Sequence, residues 1–421
     1  MFRKQTQPNL IVGLDIGSSA VRVAVGQSLP SSERGAALQL LGAVEVPGAG
    51  VHKGVVRSIE EVVSSVSNAL EEAERVVGVP IDHVWLGVTG THILSHASKG
   101  VVAVAKTDGE IAPEDVNRVV EAAEHVSPPL NYDVLHVIPR RFAVDGQAGI
   151  KDPVGMTGIR LEVDTQIIYG LTTYLKNLQK AVYRTGVDIH DLVVSIFAIG
   201  ELVTTARQRE LGAAVVDIGG STTSLLVYEE GDILHTAVLP IGSDYVTNDL
   251  ALGLRTSIDI ADRMKREYGD AVIDLKNKKE IIDLLDMGAD RSEAVSRHYV
   301  SQIVNARVVE ILEKVNAELA HIKRAGMLPC GVIITGGGAK IVGLIDTAKA
   351  TLRLPAALGY PLRLTSATDK LTDVGFSTAI GLVNWGAQMN RTAAPRSQSD
   401  WRKAPGTIIE QGKKWLRLLI P

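Results

Sequence analysis

At 421 residues the chain is long enough to bury a large core and to divide into two or more domains. Hydrophobic residues make up 45% but aromatics only 4%, so the core is built from Val, Ile, Leu and Ala, which suits an α/β protein and excludes a disordered one. A net charge of −4 argues against a nucleic-acid partner, and the single cysteine, Cys330, excludes an intrachain disulfide and a cysteine-based metal site. Lying just before an apolar strand, Cys330 reads as a buried structural thiol.

No signal peptide is expected, because the basic start Met1–Lys4 leads into a polar stretch and the apolar run Leu10–Leu14 is too short. Leu10–Val25 reads as two strands broken at Gly17-Ser18-Ser19, a β-hairpin, and Leu38–Val46 as a third strand. Ser58–Val77 is an amphipathic helix, with a Ser58/Glu61 capping box at its start and Gly78 and Pro80 at its end. Strand Val84–Val88 follows. Between His92 and Asp164 short strands such as Val101–Ala105 and Val134–Ile138 flank a helix-like stretch, Pro113–His125, and suggest a small inserted α+β module. Strand Thr165–Thr172, helix Leu175–Thr185 and strand Asp191–Ile196 then resume the α/β pattern.

Ala213–Tyr228, AAVVDIGGSTTSLLVY, repeats the logic of Ile11–Val25, IVGLDIGSSAVRVAV: an apolar strand ending in Asp-Ile-Gly, a Gly/Ser/Thr turn, and a second apolar strand. Two such copies half a chain apart suggest a duplicated fold. Residues 246–320 are helix-rich and charged. Strand Gly331–Thr335 runs into Gly336-Gly337-Gly338, and a helix is expected to begin at Ala339-Lys340-Ile341. From Ala387 to Gly406 the composition reads as a flexible polar linker.

The two hairpins carry the chemistry. Glycine lets a backbone turn sharply against a ligand, Ser and Thr supply short hydroxyls, and successive N–H groups in such a turn form an anion site. Asp15 and Asp217, one at each strand end, suit Mg²⁺ held through water. Two opposed hairpins of this kind would clamp a metal–polyphosphate between domains; two ordinary tight turns are the plainer reading. The triple glycine would lie flat against a base or ribose, or would simply allow close packing. Neither a Walker A loop nor a Rossmann G-x-G-x-x-G follows the first strand.

Hairpin, hairpin and Gly-rich turn, in that order, resemble the two phosphate motifs and the adenosine motif of the actin-like ATPase superfamily. The resemblance implies an α/β, actin-like duplicated fold, two domains around a nucleotide cleft, with ATP and Mg²⁺ as ligands. Asp15, Gly17, Ser18 and Ser19 would face the phosphates from one domain, and Asp217, Gly219, Gly220, Ser221, Thr222 and Thr223 from the other. Gly336, Gly337 and Gly338 would back the adenosine, with ribose contacts from Asp262 and Lys265 on helix Ile260–Tyr268. The superfamily usually carries Glu where Asp262 stands, and a solvated charged face is the alternative there. No residue is identified as placing an attacking water, so ATPase activity is expected to be slow at most.

Val134–Arg160, VLHVIPRRFAVDGQAGIKDPVGMTGIR, resembles the insert pattern of the FtsA family of bacterial cell-division proteins. That resemblance implies subdomain 1A at 1–90, 165–205 and 371–386, an inserted subdomain 1C at 91–164, 2A at 206–245 and 321–370, and 2B at 246–320. It also implies self-assembly into filaments and binding of the FtsZ C-terminal tail at 2B, with other division proteins meeting 1C. Arg297 and Arg307 are candidates for the acidic tail, against the plainer reading of ordinary surface arginines. A sugar or acid kinase and the actin-like scaffold of type IV pilus machines share the superfamily and are the rival readings.

Residues 391–421 carry seven basic and two acidic side chains, a tail of +5 on a body of −9. After the linker at 387–406, Thr407–Pro421 projects Ile408, Ile409, Trp415, Leu416, Leu418 and Leu419 onto one arc of roughly 200°, with Lys413, Lys414 and Arg417 beside it. This describes an interfacial helix lying on anionic lipids at the cytoplasmic face of the cell membrane, rather than one packed back on its own domain. No segment approaches the roughly 18–20 apolar residues that span a bilayer.

Overall fold

A computed structural model describes residues 10–28, 38–125, 129–274, 280–362, 364–366 and 368–392. Two sheets share one topology. In the first, strands Leu10–Ile16, Ala20–Ser28 and Leu38–Pro47 form an antiparallel meander, and His83–Val88 and Asp188–Val194 add in parallel beside the first strand. In the second, Ala213–Ile218, Thr223–Glu229 and Asp232–Leu239 form the meander, and Val332–Thr335 and Ala356–Leu358 add in parallel. Both read 3-2-1-4-5 across the sheet; the first also carries a short edge strand, Leu364–Ser366.

The duplication extends to register. Asp15 pairs with Arg22 and Ile16 with Val21 in one hairpin; Asp217 pairs with Ser224 and Ile218 with Thr223 in the other. Gly17 N donates to Ala20 O at 3.0 Å and Gly219 N to Thr222 O at 2.9 Å, closing both turns in the same way.

Helix Ile59–Val77 covers the first sheet with Val62, Val66, Ala69, Leu70 and Ala73. Ser58 Oγ accepts from Glu61 N at 3.4 Å, and Gly78, at φ 74°, ends the helix in the left-handed conformation. Helices Ser195–Val203 and Ser377–Thr392 pack on each other within the core shared by the two halves. Their contact requires a glycine: a Cβ on Gly381 would stand 2.8 Å from the carbonyl carbon and oxygen of Ala198.

Three expectations change here. Strand Asp191–Ile196 stops at Val194 and becomes a helix at Ser195, because a run that is apolar on every side carries no period to separate the two states. Residues 387–392 are helix rather than linker, with Ala387 and Met389 buried. Cys330 is half-exposed rather than buried.

The insert is a four-stranded antiparallel sheet, Ile93–Ala103, Arg160–Leu171, Tyr132–Val144 and Gln147–Ile150, with helix Pro113–Glu124 on one face. Its core is its own, with Ile111, Val119, Phe142, Leu161 and Ile167 at the centre. A Cβ on Gly100 would collide with the Val119 carbonyl, so glycine lets the helix lie on the sheet. The strands are long rather than short, and Arg160–Leu171 runs unbroken past the expected boundary at 164/165. The register shift opposite Asp164 and Thr165 leaves the extra residue, Arg140, on strand Tyr132–Val144, so Arg160–Leu171 itself keeps continuous register with Ile93–Ala103. Two residues of the insert pattern reach the second half: Lys151 Nζ lies 3.3 Å from Glu210 Oε2 and donates to the Glu230 carbonyl at 2.7 Å, and Arg141 pairs with Glu230.

Helices Asp244–Gly253, Ile258–Tyr268 and Arg297–His321 and a small hairpin, Ile281–Asp283 with Ala294–Ser296, complete the second half. Among the described residues no helix is long and apolar enough to cross a membrane. Gly381→Ala is expected to force the two central helices apart, lowering stability by on the order of 1–3 kcal/mol in chemical denaturation. An unchanged midpoint would show that the contact yields freely.

Candidate functional site

The matching hairpin registers bring the two turns face to face. Ser19 Oγ donates to Asp244 at 3.2 and 3.3 Å, Lys53 N donates to Ser221 Oγ at 2.9 Å, and the Thr89 and Ser224 hydroxyls lie 3.1 Å apart. These bonds join the halves across a cleft of about 380 Å³. A Cβ on Gly220 would lie 2.7 Å from Asp244 Oδ2 and 2.9 Å from Ser18 Oγ, so a side chain there would displace the side-chain ends that meet at this turn.

Of the residues expected at the cleft, Asp15, Gly17, Ser18, Ser19, Asp217, Gly219, Gly220, Ser221, Thr222, Asp262, Lys265, Gly336, Gly337 and Gly338 all line it. Thr223 does not. It is fully buried inside its strand, and its hydroxyl donates to the Ile241 carbonyl at 2.8 Å. The triple glycine forms the floor: Gly336 takes φ 90°, and a Cβ on it would stand 2.5 Å from Asp217 Oδ1. The helix expected at Ala339 is instead a 3₁₀ turn, Gly337–Lys340, and the α-helix begins only at Leu344, after Gly343 at φ 74°. A long helix dipole therefore does not point at this floor.

Two carboxylates dominate the electrostatics. Burial pushes Asp15 up to about 6, with Arg22 working against it and Asp217 and Glu45 adding repulsion. Burial raises Asp217 as well, against a hydrogen bond from Thr335 Oγ1 at 3.2 Å and the charge of Arg22. Arg22 lies 4.0 Å from Asp15 Oδ2 and is held by Glu45 at 2.6 Å. Two half-buried carboxylates whose charge Arg22 only partly offsets form a donor set that fits a hard divalent cation such as Mg²⁺. The facing loops, with hydroxyls and turn N–H groups, fit a polyphosphate.

On the rim, Lys265 Nζ lies 2.8 Å from Asp262 Oδ1 and donates to Thr247 Oγ1 at 2.6 Å. Burial would raise the Asp262 carboxyl, but Lys265 and Arg266 hold it below its ordinary value. Sequence reasoning missed Arg22, Glu45, Asp244 and Lys340, which also line the cleft. Arg22 left a signal: it is a lone charge inside a buried apolar strand, in register with Asp15.

Arg297 and Arg307 lie elsewhere, on helix Arg297–His321. Arg297 pairs with Glu280 at 3.0 Å; Arg307 makes two bonds to Asp249, at 2.6 and 2.9 Å, and also pairs with Glu310. Arg307 lines a surface groove with Leu239, Pro240, Tyr245 and Lys314. The membrane-directed residues Ile408, Ile409, Lys413, Lys414, Trp415, Leu416, Arg417, Leu418 and Leu419 lie outside the described residues.

Two like sheets of order 3-2-1-4-5, facing each other over a cleft with a hairpin turn from each, define an actin-like fold. Solved structures share it: the PilM-PilN type IV pilus biogenesis complex at TM-score 0.65 and 17% identity, covering 89% of this chain and 98% of that one. MreB 5 of Spiroplasma citri bound to AMPPNP is similar at TM-score 0.52 and 13% identity, covering 92% and 98%. Sequence narrows the class. The family described as Cell division protein FtsA matches residues 214–381, and the SHS2 domain inserted in FTSA matches 90–169. The FtsA of Pseudomonas aeruginosa is 34% identical, covering 97% of both chains, and that of Escherichia coli K12 is 32% identical, covering 98% of this chain and 99% of its own. That of Bacillus subtilis is 36% identical over 91% of this chain and 84% of its own. The chain belongs to the FtsA family of cell division proteins.

Asp15→Asn removes a buried charge. Asp15 is protonated in both folded and unfolded states below about pH 4, so its penalty is absent there and grows as pH rises through about 6. The variant without ligand is expected to gain on the order of 2 kcal/mol at pH 8 and nothing at pH 4, measured by denaturation. A gain that does not vary with pH would contradict the buried charge.

Proposed function

We propose that this FtsA-family protein binds ATP with Mg²⁺ in the cleft, assembles head to tail with its own copies, and anchors FtsZ filaments to the cytoplasmic face of the cell membrane at the division site. The observation that carries the reading is the pair of Asp-bearing hairpins meeting across one cleft. Asp15 and Asp217 would hold the cation through water, the turns at 17–19 and 219–222 would take the phosphates, and Gly336–Gly338 with Asp262 and Lys265 would take the nucleoside. A bound cation offsets the charge that burial leaves on both carboxylates and lowers their raised pKa values, so cation and nucleotide support each other's binding.

Head-to-tail assembly is a heterologous contact that need not close, which suits a two-domain body with unlike ends. The FtsZ tail, acidic and apolar, would lie along helix Arg297–His321 in the groove beside Arg307. Arg307 is already paired with Asp249 and Glu310, so the tail carboxylates would exchange with those partners rather than meet a bare cation, and Lys314 would assist. Further division proteins would meet the insert.

Membrane attachment rests on the sequence of Thr407–Pro421. Each Lys or Arg near an anionic leaflet contributes about 1 kcal/mol, and the apolar face adds more. One helix binds reversibly; a filament presents many at once and holds firmly.

The test is fluorescent FtsZ over a supported bilayer containing anionic lipid. FtsZ is expected to gather on the bilayer with the full-length protein and Mg²⁺–ATP, and to stay in solution when the protein lacks residues 407–421. No recruitment in any nucleotide condition would overturn the anchor, and recruitment by the truncated protein would move the membrane contact elsewhere.

A further inference from the structure

Helix Asp244–Gly253 meets the cleft with one face and the groove beside Arg307 with another. Its start is fastened to the second hairpin turn: Ser243 N donates to the Gly219 carbonyl at 2.9 Å and Asp244 N to the Gly220 carbonyl at 2.8 Å. A Cβ on Gly242 would collide with the Gly220 carbonyl, so turn and helix start are in direct contact. On the cleft face Asp244 accepts from Ser19 Oγ, and one turn on Thr247 Oγ1 accepts from Lys265 Nζ at 2.6 Å. On the groove face the Arg307 guanidinium lies 5.6 Å from the Tyr245 ring centre, and Asp249 accepts two bonds from Arg307 at 2.6 and 2.9 Å. Spacings of three and four residues set 244 with 247 and 245 with 249, the two pairs roughly 150° apart around the helix.

Both cleft-side bonds come from groups that the nucleotide reading gives to the ligand. Ser19 has one hydroxyl hydrogen, which goes either to Asp244 or to a phosphate oxygen. Lys265 is drawn from the neutral Thr247 hydroxyl by a ligand oxygen that carries negative charge. Asp244 itself lines the cleft, so a phosphate there adds like-charge repulsion at the helix start. The helix is about 15 Å long and moves as one body, carrying Tyr245 and Asp249 with it. Glu310, the other partner of Arg307, lies on Arg307's own helix and stays behind.

We propose that helix Asp244–Gly253 couples the two sites: nucleotide in the cleft releases the helix from Ser19 and Lys265, the helix shifts, and Arg307 is freed from Asp249 to take an acidic peptide in the groove. The proposal rests on the nucleotide and groove readings above and adds the link between them. Ligand and helix compete for the same two groups, which supplies the differential contact that any population shift requires. Such coupling is reciprocal, so the peptide strengthens nucleotide binding by the same factor. Occupancy of the cleft is enough; no bond in the nucleotide need break.

The test uses the full-length protein, below the concentration at which sedimentation detects its assembly. Anisotropy of a labelled synthetic FtsZ-tail peptide is measured with and without Mg²⁺–AMPPNP, and binding of a fluorescent ATP analogue with and without the peptide. Both affinities are expected to rise by the same factor, about fivefold to tenfold. D249N loses the charged clasp on Arg307, so it is expected to bind the peptide tightly in both conditions, with a ratio of about one. Its binding of the analogue without peptide is expected to stay within about twofold of the unaltered chain, since Asp249 faces away from the cleft. T247V, which loses only the bond to Lys265, is expected to show a ratio between the two. Equal or weaker peptide binding in the presence of AMPPNP, or full coupling in D249N, would overturn the proposal. Failure of the analogue to bind in any condition would overturn the nucleotide reading, and failure of the peptide to bind in any condition the groove reading, each taking the proposal with it.

Discussion

Two carboxylates that repel each other are carried into a single cleft by separate sheets. Asp15 and Asp217 reach it only because both hairpins end in the same register, and burial then denies each of them the solvent that would ease its charge. Arg22 is the cation that the hydrophobic strand brings beside them, and it is shared with Glu45. Such a cleft sits at a higher free energy without a cation than with one, because desolvation and repulsion are left only partly offset. The surrounding architecture serves to keep those groups together despite that tension.

It does so with tight packing and bonds placed on several elements. The helices Ser195–Val203 and Ser377–Thr392 meet where Gly381 has no side chain, tying the two halves at their centre. Ser19–Asp244 and Lys53–Ser221 join them at the cleft, while Lys151 and Arg141 join them through the insert. The insert is thus a second bridge between halves rather than an ornament on the first. Its distinctive sequence pattern includes both of the bridging cations.

Much of this was legible from residues alone. The repeated Asp-Ile-Gly hairpins disclosed the duplication, because a turn that needs glycine and a strand buried on both faces, hence a continuous apolar run, both leave marks in sequence. The helix from Ile59 was legible from its own apolar period. What stayed hidden depended on tertiary placement. Ser195–Val203 is largely apolar and could not be told from a strand; Thr223 follows the other turn hydroxyls in sequence, yet its own is buried and bonded to the Ile241 carbonyl. Asp244 and Glu45 reach the cleft from distant parts of the chain, and nothing local marks them. Arg297 and Arg307 could be placed on a helix but not matched with Glu280 and Asp249, whose approach depends on folding.

The two hairpins are copies, but not at every position. Where Arg22 stands opposite Asp15, Ser224 stands opposite Asp217. The floor of three glycines and the Lys265–Asp262 rim also belong to the second half alone, so the near two-fold relation of the sheets does not extend to the whole cleft. The guanidinium adds to that difference: an elongated anion in the cleft has one end nearer a fixed positive charge than the other. A body assembled from a doubled motif thus gains a front and a back where its repeats have diverged.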